Sequence, residues 1–141
     1  MRYLLAFMLN LSVVMAFSQG SFQIDPTTNR VSNFDATYQF TRSCVYDNDL
    51  RGFINNTNTM ANSTVAIRID KDGVGRLIIF VREKVVFLVD SCVKKRYAYQ
   101  FYLINEKDTR VTASLLVNED KVNSFWLDNP IENTSIVFFN K

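Results

Sequence analysis

The chain has 141 residues, of which 48% are hydrophobic and 21% are charged, and its formal net charge is +2. This length is that of one ordinary domain, and a charge so close to zero gives no electrostatic reason to expect nucleic acid or an anionic membrane surface as the partner. Aromatic residues make up 13% of the chain, while Gly and Pro number only four and two, which favours a compact β-rich domain over a disordered one.

The first residues have the pattern of a secretory signal peptide. Arg2 supplies a positive charge, and residues 3–14 form a mostly apolar stretch that is too short to span a bilayer comfortably. Ala16 and Ser18 place small side chains three and one positions before a cleavage site. We therefore predict a signal peptide over residues 1–18 and a secreted or periplasmic mature chain. An uncleaved membrane anchor is the alternative.

Residues 19–33 are polar and contain turn formers such as Asp25-Pro26, and we interpret them as a lead-in segment before a domain over residues 34–141. Apolar and polar residues then alternate from Phe34 to Phe40, which predicts a strand that ends near Cys44. Residues 55–62 are largely Asn, Thr and Met without any period, so we expect an exposed loop there.

The middle of the chain predicts further strands on either side of a turn at residues 70–73. Residues 74–89 carry apolar side chains at both odd and even positions, and we therefore expect this segment to be central and covered on both faces. The pattern leaves open whether Glu83-Lys84 forms a tight turn or a bulge in one long bent strand.

Residues 96–117 alternate most regularly and predict an antiparallel hairpin around the polar connection at residues 105–109. The hairpin has one apolar face in the register with these cross-strand pairs: Leu103 with Val111, Phe101 with Ala113, Tyr99 with Leu115, and Tyr97 with Val117. A short strand around Trp126 and a terminal strand over residues 136–139 follow.

This pattern predicts an all-β fold: a single antiparallel domain of about eight or nine strands. Because the connections are mostly local hairpins, we expect a meander barrel or a strongly curled sheet, with a β-sandwich as the alternative. An open sheet would leave an apolar terminal strand unpaired at its edge.

Cys44 and Cys92 are the two cysteines of the chain. In an exported protein the simplest expectation is one disulfide bond between them, which would stabilise the fold by about 4 kcal/mol in the chain-entropy model. A free buried pair of thiols, or one reactive cysteine, is the alternative.

The chain contains no His, which excludes the ordinary Ser-His-Asp and Cys-His nucleophilic sites and most catalytic zinc sites. The close acid pairs, such as Asp70 with Asp72, fall in predicted turns, where Asp is expected for backbone hydrogen bonding alone. We therefore expect no enzyme activity, no cofactor and no metal site.

Two sets of surface residues remain as candidates. Lys94, Lys95 and Arg96 form a basic cluster that is either a weak binding site for an anionic partner or a solvated turn. Asn55, Asn62 and Asn133 begin N-glycosylation sequons, which matter only if the source is eukaryotic.

These observations indicate a secreted, non-catalytic binding protein that holds a small apolar ligand in a barrel-like cavity. The alternative is a secreted or envelope module for protein–protein interaction, similar in role to an inhibitor or adhesin, that uses a loop such as residues 55–62. We expect neither nucleic acid as a partner nor a membrane span after signal cleavage. The barrel interior distinguishes the two hypotheses, because packed side chains favour interaction and an open cavity favours a ligand.

Overall fold

The computed structural model describes residues 22–119 and 121–140, and the predicted signal peptide lies outside them. The described residues contain no helix and form eleven β-strands. In chain order the strands are β1 (Gln23–Ile24), β2 (Val31–Ser32), β3 (Phe34–Asp47), β4 (Gly52–Phe53), β5 (Thr59–Ile69), β6 (Gly75–Phe80), β7 (Lys84–Lys94), β8 (Ala98–Ile104), β9 (Arg110–Asn118), β10 (Lys121–Asn129) and β11 (Thr134–Phe139).

Eight of these strands form a closed antiparallel barrel. Neighbouring strands follow the chain order from β5 to β11, β3 pairs with β5, and the pairing of β11 with β3 closes the ring. Closure leaves the apolar strand β11 without a free edge. The predicted all-β barrel is therefore confirmed, and the fold is not a β-sandwich.

The register predicted for the regular hairpin is confirmed. Tyr99 pairs with Leu115, and Phe101 with Ala113. All four of these side chains are buried in the core. Beyond the start of β8 at Ala98, the Val117 N–H still donates to the Tyr97 carbonyl oxygen at 2.9 Å. The Tyr97 side chain differs from the prediction, because it is 62% exposed and does not belong to the buried face.

Side chains from every barrel strand fill the interior, as expected for a barrel of eight strands. The largest apolar side chains with almost no exposed surface are Phe34, Phe101, Phe125, Ile67, Leu77, Leu103 and Leu115. The barrel is therefore a packed core along most of its length.

The connection that the sequence left open is a turn. β6 ends at Phe80 and β7 begins at Lys84, so residues 81–83 join two separate strands. The expectation that this segment is covered on both faces is wrong, because its outward-facing residues Phe80 and Leu88 are 45% and 55% exposed.

The described part of the lead-in segment, residues 22–33, covers one end of the barrel. β1 and β2 form a short hairpin, and Arg30 makes an isolated bridge to Val93 of β7. Val31 is buried in the core, and the ring of Phe22 stacks on Phe34 with centroids 5.2 Å apart. We call this end of the barrel the closed end. We call the opposite end, where β6 ends and β7 begins, the mouth.

The predicted disulfide is absent, because Cys44 and Cys92 are both free and buried. Cys92 belongs to a row of paired residues that shares one face of the sheet: Cys92, Phe101, Ala113, Leu127, Ile136 and Val45. Cys92 lies in the core, so this face is the inner one. Cys44 precedes Val45 in β3 and therefore points to the outer face. With their side chains on opposite faces and with β5 and β6 between their strands, the two thiols cannot bond.

Candidate functional site

The most distinctive surface is a continuous apolar area on the outside of the barrel. The row Ala66, Ile78 and Val86 crosses three strands, and the pair Leu88 and Ile104 extends it onto β8. We call this area the apolar sheet face; its members are Ala66, Ile78, Phe80, Val86, Leu88, Tyr102 and Ile104. Exposed apolar surface of this continuity marks an interaction site more often than a lone exposed side chain does.

Positive charge borders the apolar sheet face. Arg76 lies opposite Leu88, and Lys84 lies opposite Phe80, so the two cations mark opposite ends of the β6–β7 pair. Within the described ranges, Arg76, Arg82 and Lys84 have no ion-pair partner. Glu83, which lies between Arg82 and Lys84 in the chain, likewise has no ion-pair partner among the residues that the structure describes. The border therefore carries excess positive charge.

Two ion pairs balance the remaining charges at this border. Arg68 lies 3.6 Å from Asp35, and Arg110 lies 3.6 Å from Asp90. Asp90 is the residue at which the β7–β8 register shifts, and a depression of about 370 Å3 lies beside it against Leu88 and Ile104. The apolar sheet face thus has a shallow recess at one edge.

A second exposed apolar area lies on two loops at the mouth. The Asn133 side-chain amide donates a 2.6 Å hydrogen bond to Asp49, and the Asn48 N–H donates to the Asn133 carbonyl oxygen at 3.0 Å. These bonds join the loop after β3 to the loop after β10. On these loops Leu50 and Ile131 are 81% and 88% exposed. Most of the loop predicted at residues 55–62 is exposed, although its last part belongs to β5.

The predicted basic cluster is engaged with its own chain. The Lys94 ammonium donates to the carbonyl oxygens of Lys95 and Arg96 and lies 5.1 Å from the Tyr99 ring centre. The Arg96 guanidinium lies 5.1 Å from the ring centre of Tyr97. Lys94 is the last residue of β7, and Lys95 and Arg96 lie in the turn to β8 at the closed end of the barrel.

The three sequon residues are all exposed. Asn55 lies in the loop after β4, and Asn62 lies where the pairing of β5 with β3 shifts register. Asn133 is in the left-handed region at φ 53°, and its side chain is the one bonded to Asp49.

Burial and hydrogen bonding constrain the two thiols and the Asp128 carboxylate among the described residues. Burial raises the pKa of the Cys92 thiol to about 12 and also raises the pKa of Cys44, so both thiols stay protonated at neutral pH and are poor nucleophiles. Asp128 accepts hydrogen bonds from the Thr112 and Ser135 hydroxyls, which ties its carboxylate into the sheet. Residues 22–119 and 121–140 contain no group of three metal-ligating side chains. They also contain no helix that is long and apolar enough to cross a membrane.

No family model, curated protein or solved structure matches this chain. The functional inference therefore depends on the residues of this chain alone. Sequence reasoning missed the apolar sheet face, although apolar side chains at both odd and even positions of residues 74–89 signalled it. That pattern shows that both faces are apolar but does not show whether the chain itself covers the second one.

Proposed function

We propose that this chain is an exported, non-catalytic β-barrel that binds another protein through its apolar sheet face. The partner presents an apolar centre bordered by carboxylates. Export rests on the predicted signal peptide, and binding rests on the surface described above.

One observation carries the proposal: neighbouring apolar side chains continue across the outer face of β5 to β8, and no segment among residues 22–119 and 121–140 covers them. Leu88, Phe80 and Tyr102 are its most exposed members. Burying a Leu or Phe side chain is worth about 1.5–3 kcal/mol, so a partner gains affinity from this face directly. The packed interior favours interaction over a ligand held deep inside the barrel.

The border charges favour an acidic partner over a second copy of the chain. Arg76, Arg82 and Lys84 outnumber Glu83, so two copies facing each other would bring excess positive charge together. Carboxylates on a different protein would pair with these cations and speed encounter.

Site-specific photo-crosslinking in the producing cells tests the proposal. A benzophenone side chain replaces Leu88 in one variant and Leu50, which is also exposed but lies on the mouth loops, in the matched control. We expect one main adduct with a different protein from position 88 and not from position 50. We also expect Arg76→Glu to reduce the yield of that adduct, because it reverses a border charge.

Three results would contradict the proposal. An adduct with the mass of two copies of the chain would show self-association instead. The same adduct from position 50 would show that the partner does not bind specifically at the apolar sheet face. An unchanged adduct yield with Arg76→Glu would show that the partner does not contribute carboxylates at this border. Once the partner is known, Leu88→Asp should weaken binding about tenfold or more, as for a central interface residue.

A further inference from the structure

Strand β7 extends beyond its neighbour β8 at the mouth of the barrel. The ladder between β7 and β8 starts at the pair Leu88 and Ile104, whereas β7 itself begins at Lys84. Residues 84–87 therefore pair with β6 alone. The turn after β8 does not replace the missing neighbour, because its hydrogen bonds close on its own residue Asn105. We call the unpaired side of residues 84–87 the free edge of β7.

The alternation of hydrogen bonds along the sheet shows which backbone groups point to this free edge. The Asn105 N–H donates to the Thr109 carbonyl oxygen across the β8–β9 turn. The residue before it, Ile104, therefore directs its N–H and C=O the other way, to Leu88. Val86 lies two residues before Leu88 and directs its N–H and C=O in the same direction, past the end of β8. Among the described residues, no backbone or side-chain group bonds to Val86 on this side.

The free edge of β7 is apolar along most of its length, which consists of Val85, Val86 and Phe87 after Lys84. Proteins usually protect a strand edge with charges, a proline or a bulge, because an open edge can pair with another chain. β5 also extends beyond β6 at the mouth, over residues 59–63, but that edge is largely polar and contains a register shift. Of these protective features, the β7 edge has only Lys84 at its end. It therefore has the properties of a pairing site.

We infer that the partner of the apolar sheet face adds an extended strand to the free edge of β7. This inference rests on the proposed function and specifies how the partner is held. An extended strand presents N–H and C=O groups at the spacing that Val86 and Lys84 require. Val86 and Leu88 belong to the apolar sheet face, so every second side chain of the added strand continues that face.

The surroundings of the free edge define the composition of the added strand. An antiparallel strand continues the pattern of the described barrel strands around it. Its residue opposite Val86 shares the outer face and is apolar. A carboxylate near its end pairs with Lys84, which has no ion-pair partner within the described ranges. A second copy of the chain would bring its own Lys84 and Arg82 to this border, which favours a different protein.

Residue-resolved hydrogen exchange by NMR on the purified chain tests the inference. The probe is a capped heptapeptide, Asp-Val-Thr-Val-Thr-Val-Asp, whose valines share one face when it is extended. In the free protein we expect the Val86 amide to exchange rapidly, while the Phe87 amide, which points to Leu77 of β6, exchanges slowly. Saturating peptide should slow exchange at Val86 by about tenfold or more and leave exchange at Phe87 unchanged.

A second peptide with the same side chains is the matched control. It carries an N-methyl group on its central valine, which removes the backbone donor opposite Val86 and places a methyl group in the hydrogen-bonding edge. We expect it to bind about tenfold more weakly or worse, because strand pairing depends on that backbone group.

Two lysine variants test the charge of the added strand. Lys84→Glu should weaken binding of the unmodified peptide about two- to tenfold, because it places a carboxylate near the peptide's aspartates. Lys71→Glu makes the same change in the exposed turn between β5 and β6, at the closed end, and should leave binding unchanged.

The inference fails if peptide at about 1 mM leaves exchange at Val86 unchanged, or if the Val86 amide is already protected in the free protein. Protection that rises with the concentration of the protein alone would place a second copy at the edge instead of a different protein. Equal binding by Lys84→Glu would remove the carboxylate from the added strand. Equal affinity of the N-methylated peptide would reduce the contact to side chains and overturn strand addition. The photo-crosslink from position 88 tests the proposed function separately, since it does not depend on the conformation of the partner's backbone.

Discussion

Phe53 of β4 covers Trp126 of β10 on the outside of the barrel, with ring centroids 6.1 Å apart and planes tilted by 48°. Phe53 reaches Trp126 because it pairs with Tyr46 of β3, beyond the last residue of β3 that pairs with β5. Tyr46 itself meets Trp126 edge-on at 5.0 Å. A short strand from a long loop thus shields the only Trp of the chain.

Removing the Phe53 side chain should change the fluorescence of Trp126. We expect Phe53→Ala to shift the emission of Trp126 to longer wavelength, because water gains access to an indole that is now half-buried. Leu50→Ala is the control, since Leu50 belongs to the same loop and is 81% exposed. Equal spectra for wild type and Phe53→Ala would show that β4 does not cover the indole in solution.

The packed interior predicts a penalty for added volume. Ala113 is fully buried between Phe101 and Leu127 on the inner row, and Ala113→Leu should destabilise the protein by about 1–3 kcal/mol. Ala66→Leu on the outer face should change stability by less than about 0.5 kcal/mol. Urea unfolding measures both. A neutral or stabilising Ala113→Leu would indicate an empty interior.

The cysteines predict a thiol count of two. Unfolding the protein in denaturant without reductant and adding a thiol reagent should titrate Cys44 and Cys92 together, because the structure contains no bond between them. In the folded protein both should react slowly, since burial raises the pKa of each thiol. A count of zero after unfolding would restore the disulfide that the sequence suggested.

Burial of Tyr38 predicts a loss of stability in alkali. Its pKa rises from the ordinary value of 10.0 to about 12 in the folded protein, because burial disfavours the phenolate. The neutral form is the one that the fold favours, so this contribution is complete below pH 10 and is lost as the pH rises towards 12. Tyr38→Phe should therefore flatten the decline of the unfolding midpoint over this window. Parallel profiles for the two proteins would contradict the effect.

The amino-acid sequence determined the features that depend on near neighbours. Strict alternation predicted the hairpin of β8 and β9 in its observed register, because a shift by one residue would turn Phe101 and Leu115 outward. The repeated short strands and turns likewise predicted an all-β meander.

Only the tertiary structure decided what depends on distant strands. β3 reverses the parity of its inward residues between Phe40 and Val45, where its pairing with β5 shifts, and this turns Cys44 away from Cys92. The sequence pattern likewise could not show that the apolar sheet face is left uncovered or that Val31 is buried at the closed end. Alternation along a strand shows which side chains share a face of the sheet. Whether that face is covered depends on segments far away in the chain, and the alternation contains no information about those segments.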